Sequence, residues 1–100
     1  MSYVNNLKMF VRVFDLGSMS AAARDQRTSP AVASARIAEL EKHLGIRLFN
    51  RTTRRLQPTE NGRLFYEGAC KVLEAIDDAE ATVMASTLNL RGSVFVAAPL

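Results

Sequence analysis

Three arginines within five positions, Arg51, Arg54 and Arg55, together with Thr52 and Thr53, form the most pointed chemical cluster in the chain. Guanidinium groups carried on a turn can grip phosphate oxygens or enter a narrow minor groove. Upstream, Ser18, Ser20 and Ser29 each stand where a helix can begin. Each therefore reads either as a plain N-cap or as a group presenting a helix N-terminus to a phosphate. Covalent or acid–base chemistry finds much less support. Cys70 and His43 fall on different expected helices, and no paired carboxylates or phosphate loop are present. Glu67 and Glu74 put the wrong charge beside Cys70, which reads as a small buried apolar residue. His43, near a helix C-terminus, reads as compensating the helix dipole. No catalytic residue, metal ligand or cofactor is expected, and an enzyme is the weaker class.

The charge map agrees with an anion partner. Residues 24–55 hold eight Arg and Lys against three acids, a local +5, whereas residues 60–89 hold two bases and six acids, a local −4. The net charge of +3 is thus a basic half joined to an acidic half, and a basic patch on one module points to a polyanion. With 100 residues and 48% hydrophobic composition, the chain reads as one soluble globular domain whose small core would profit from pairing with a second copy. No charged leader precedes an apolar block at Met1-Ser2-Tyr3-Val4, and no apolar run approaches the roughly 20 residues that span a bilayer. No membrane association and a cytoplasmic location are expected.

These groups have to be positioned by helices. Leu7, Phe10, Val11 and Phe14 recur at helical spacing after the potential caps Asn5-Asn6 and before Gly17, which predicts a first helix over 6–16. Met9, Val13 and Leu16 add a second apolar strip, and a helix apolar on two sides needs a second covering surface. A second helix is expected from Met19 to Gln26, its three alanines permitting close approach, with Arg27-Thr28 as the turn. The third has the cleanest start, Ser29 as N-cap and Pro30 at the first position, and should run to about His43 with Gly45 as its stop. At about 100° per residue, Ala33, Ile37, Leu40 and Leu44 form its core face. Ala31, Ala35, Ala38, Glu39 and Lys42 then look outward, flanked by Pro30, Ser34 and Arg36.

After Leu48-Phe49, two short strands within 50–57 are expected around Thr52-Thr53-Arg54, with Pro58 closing a hairpin. Thr59 can cap a long helix whose apolar stripe is Phe65, Ala69, Val72, Ile76, Ala79 and Val83, persisting toward Leu88. Gly62 and Gly68 weaken its start, so packing must hold that end. A helix of roughly eight turns outruns so small a body. Its stripe, with Met9, Val13 and Leu16, is therefore expected to pair with a second chain in a homodimer. Residues 93–98 read as a buried strand without a partner in this chain. The order helix, turn, helix, basic hairpin fits a winged helix-turn-helix, a device for reading duplex DNA. The fold class is thus mainly α, with a small β-hairpin wing and a long C-terminal linker helix.

The run from Ser29 to Gly45 resembles the recognition helix of LysR-type transcriptional regulators. So do Phe10-Val11-Arg12-Val13, Gly17 to Ala23, Leu48 to Leu56, Thr59-Glu60-Asn61-Gly62 and Val94 to Pro99, in the same order, so that the resemblance covers about residues 5–99. It implies a DNA-binding domain over 1–58, a linker and dimerisation helix over 59–89, and over 90–100 the start of an effector-binding domain otherwise missing. The chain would then be a fragment that keeps DNA binding and lacks small-molecule sensing, an effector acting only through the missing domain. The implied function is sequence-specific binding of double-stranded DNA at an interrupted inverted repeat, as a homodimer, with a tetramer left open for a full-length protein. The alternative is a module that dimerises with, and modulates, a full-length regulator. One departure stands out, because the family usually carries Arg where this chain has Ala35. Base reading is expected from Pro30, Ala31, Ser34, Ala35 and Arg36, with methyl contacts to thymine replacing the arginine. Backbone contacts are expected from Ser18, Ser20, Ser29, Arg51, Thr52, Arg54 and Arg55.

Overall fold

The computed structural model describes residues 2–52 and 55–90, with side chains through residue 87. Arg54 and the strand expected over 93–98 lie outside the described residues. The first helix, α1 (Tyr3–Leu16), begins earlier than Asn5-Asn6 suggested. Ser2 has extended backbone and its Oγ accepts from the Asn5 N–H at 3.3 Å, so it caps the helix instead. Asn6 is consequently one turn inside, buried, with its Nδ2 donating to Glu39 Oε1 at 3.3 Å.

The second helix, α2 (Met19–Asp25), is one residue shorter than expected, and Ser18 Oγ caps it by accepting from Ala21 N–H at 3.1 Å. Arg27 in the following turn takes a left-handed φ of 58°, which costs a side-chain-bearing residue about 1 kcal/mol. The third helix, α3 (Pro30–Leu44), starts as the Ser29-Pro30 pair dictates, Ser29 Oγ accepting from Val32 N–H at 3.2 Å. It ends at Gly45, whose φ of 73° suits the residue that lacks a Cβ.

A two-stranded antiparallel hairpin follows, β1 (Phe49–Arg51) and β2 (Leu56–Pro58), with Asn50 opposite Gln57. Pro58 belongs to the second strand, opposite Phe49, rather than merely closing it. The last helix, α4 (Glu60–Leu90), has 31 residues, a length of roughly 46 Å at the α-helical rise. Thr59 opens it, its hydroxyl accepting from Gly62 N–H at 2.9 Å.

The core forms around α1, which packs against α2, α3 and α4. Leu7, Phe10 and Val13 meet Ala22, Ala23, Ala33, Ile37, Leu40, Leu48 and Phe49 there. Phe10 is its hub, with ring centroids of Phe49, Phe65, Phe14 and Tyr66 at 5.5, 5.4, 6.2 and 6.4 Å. This arrangement corrects one expectation. Met9 and Val13 are 0% exposed within a single chain, because α1 is surrounded by helices of its own molecule. They present nothing to a second copy.

The apolar stripe of α4 divides in the same way. Ala69 is buried in the core, with Phe65, Tyr66 and Leu73 packed against it, so Ala69 is withdrawn from a partner while Phe65, half-buried, is taken up by the body in part. Farther along, Ile76 is half-buried and Ala79, Val83 and Met84 are exposed. Polar bonds reinforce the docked half. Tyr66 stacks on Phe14 at 3.9 Å and donates its hydroxyl to Asp15 Oδ1 at 2.5 Å. Arg12 in turn reaches Asp15 at 3.4 Å and Asp25 at 2.9 Å. The bond to Asp15 first, then one to Cys70 and partial burial, push the Tyr66 phenol well above its ordinary range.

Candidate nucleic-acid interface

The two faces of α3 separate cleanly. Ala33, Ile37 and Leu40 are fully buried, while Pro30, Ala31, Ala35, Ala38, Glu39 and Lys42 are exposed. Ser34 and Arg36 lie between, half-buried, and Arg36 Nε is buried without a hydrogen-bond partner among the described residues. The outward face is therefore short-chained over the first turns of α3, whereas Glu39 farther along accepts from the buried Asn6 of α1. A helix about 10–12 Å across with such a face fits a major groove of about 12 Å.

The three serines part ways. Ser18 and Ser29 use their hydroxyls as caps, while Ser20 is exposed in the first turn of α2. In the hairpin, Thr52 N–H donates to Arg55 O at 2.9 Å and Thr52 Oγ1 accepts from Arg55 N–H at 2.9 Å. The Thr52 side chain therefore shapes the turn, and Arg51 and Arg55 stand exposed on either side of it.

One residue with a role at this surface was not singled out in the sequence. Glu41, in the last turn of α3, directs Oε2 at the Leu48 N–H at 2.8 Å and the Phe49 N–H at 3.3 Å, with Arg47 Nε 3.9 Å away. Its only sequence signal was an acid near a helix C-terminus, where it opposes the dipole.

The residues weighed for other chemistry stay apart. His43 sets its ring edge-on to Tyr3 at 5.2 Å. Cys70 is half-buried, less covered than expected, and its polar neighbour is Tyr66 rather than His43. No described helix is long and apolar enough to cross a membrane. Of the pairing residues expected in the sequence, Leu16 at 42%, Val72 at 46% and Val83 at 63% remain exposed, as does Ala79.

The model of a family described as bacterial regulatory helix-turn-helix protein, lysR family, matches residues 4–63. An uncharacterized HTH-type transcriptional regulator of Haemophilus influenzae is 34% identical over 99 residues, covering 99% of this chain and 34% of that protein. An HTH-type transcriptional repressor of Pseudomonas aeruginosa is 40% identical over 96 residues, covering 96% of this chain and 30% of the repressor. The chain thus spans about a third of the length of these relatives. Among solved structures, the BenM DBD in its complex with benA site 1 DNA superposes with a TM-score of 0.80 at 30% identity, over 87% of this chain and 97% of that one.

Proposed function

Since the chain belongs to the LysR family of bacterial regulatory helix-turn-helix proteins, we propose that it binds double-stranded DNA sequence-specifically, as a homodimer acting in transcription regulation in the cytoplasm. The observation that carries this reading is the pairing of an exposed, short-chained face on α3 with the exposed Arg51 and Arg55 of the adjoining hairpin. Pro30, Ala31, Ser34, Ala35 and Arg36 read base edges in the major groove. Ser18, Ser20, Ser29, Arg51, Thr52, Arg54 and Arg55 hold the phosphate backbone, Ser18, Ser29 and Thr52 through the helix starts and turn that they shape. Ala35 stands where an arginine would reach guanine, so thymine methyl contacts and DNA shape carry more of the discrimination.

Residues 1–58 act as the DNA-binding unit and α4 as the pairing element, through Val72, Ile76, Ala79 and Val83 with Leu16 of α1. Two-fold pairing sets two recognition helices on an interrupted inverted repeat. In a longer protein, assembly to a tetramer and the response to a small-molecule effector belong to further residues, and no enzymatic chemistry is assigned to this chain. Support comes from the BenM DBD complex with DNA, whose fold this chain shares. A gel-shift titration over salt concentration tests the reading. Steeply salt-dependent duplex binding is expected, whereas a flat response overturns it in favour of a protein-interaction module.

A further inference from the structure

The peptide leading into the hairpin is held from two sides. Its N–H groups at Leu48 and Phe49 point to Glu41 of α3. Its carbonyls point to the start of α4, since the Thr59 hydroxyl donates to Arg47 O at 2.7 Å and the Thr59 N–H to Leu48 O at 2.9 Å. The side chains of Leu48 and Phe49 are sealed in the core, and α4 passes so close that a Cβ at Gly62 would sit 2.2 Å from Leu48 O. Three elements therefore meet on three residues, and the hairpin that carries Arg51 and Arg55 at its far end springs from that joint.

Glu41 is out of place by charge. It lies in the segment with a local +5, on the element proposed to face a polyanion, where a carboxylate repels phosphate. Its side chain is only 13% exposed, and its Oε2 is occupied by two backbone N–H groups.

Resting on the DNA-binding reading, we infer that Glu41 is a positioning residue for DNA binding: by clamping the 48–49 peptide against Thr59, it fixes where the hairpin arginines stand relative to α3. A carboxylate accepting two backbone donors is a directional anchor of the charge-assisted kind. Without it the hairpin, only three residues per strand, keeps the apolar packing of Phe49 but loses the directional hydrogen bonds that tie its base to α3. The arginines would then sample positions off the phosphate track.

The test separates geometry from charge because the two predict opposite signs. Removing an acid from a basic surface should, by charge alone, tighten duplex binding and steepen its salt dependence. Loss of the clamp should do the reverse. We expect Glu41→Leu in the 100-residue chain, with circular dichroism confirming retained helix, to lower the slope of log K against log salt by about 1.8, two phosphate contacts' worth. Glu41→Gln, which keeps an accepting oxygen, should recover most of that loss. In the Glu41→Leu background, Arg51→Ala and Arg55→Ala should add little to the defect, a coupling that simple destabilisation does not produce. If Glu41→Leu fails to fold, Thr59→Val, which loosens the other jaw, should shift the slope in the same direction. An equal or steeper slope in a folded clamp variant overturns the inference while the DNA reading stands. A wild-type chain without salt-dependent binding removes both.

Discussion

At the scale of single residues, the two glycines of α4 make opposite predictions. A methyl at Gly62 would collide with the backbone carbonyl of Leu48. Gly62→Ala should therefore cost about 1–3 kcal/mol, the usual range for overfilling a packed site. Nothing lies within 4 Å of a Cβ at Gly68, so Gly68→Ala should stabilise by roughly 0.5–1 kcal/mol through helix propensity. Urea unfolding of both variants checks the pair, and equal effects would refute the close approach. On the hairpin, Arg51→Ala should weaken binding to all duplexes alike and lower the salt slope by about one phosphate unit. Competition gel shifts with operator and random DNA measure this, and a loss confined to the operator would contradict a phosphate role. Ser29, Pro30 and Gly45 were legible in the sequence because the helix ends that they serve lie at or beside them. Glu41 was not, since its partners are backbone donors seven and eight residues away, brought near only by the chain's return past the end of α3.

Among the elements, α1 shows what periodicity can and cannot tell. Its two apolar strips were correctly seen, but spacing records which faces are apolar, not how many neighbours the same chain will supply. Here α2, α3 and α4 cover α1 together, which places Met9 and Val13 in the core. The stripe of α4 was likewise real, yet the body covers it only as far as about Leu73 and leaves Ala79 and Val83 exposed. The bond from Tyr66 to Asp15 gives that docking a pH dependence. Because the phenol is raised in the folded chain, its contribution is complete below the ordinary tyrosine range and is lost as pH climbs beyond about 10. Thermal unfolding between pH 8 and pH 11 should show the wild type losing more stability than Tyr66→Phe. Parallel declines would mean that the bond does not hold α4.

For the whole molecule, the exposed run from Ala79 to Met84 on the far part of α4 is the surface on which the proposed pairing would depend. Val83→Glu would leave an unpaired charge in an apolar contact, and at least about tenfold weaker association is expected, equivalent to ~1.4 kcal/mol. Sedimentation equilibrium measures it, and a wild type that stays monomeric at micromolar concentration would refute the homodimer. The helix between the docked residues and that run is unbroken, so it works as a screw of fixed pitch. Each residue inserted between Glu74 and Ala75 should turn one end against the other by about 100° and separate them by about 1.5 Å. Two insertions should throw the reading heads out of phase and abolish grip on the native operator. Seven, which come back to within about 20° of the starting bearing, should restore part of it, so that affinity oscillates with insert length rather than declining steadily.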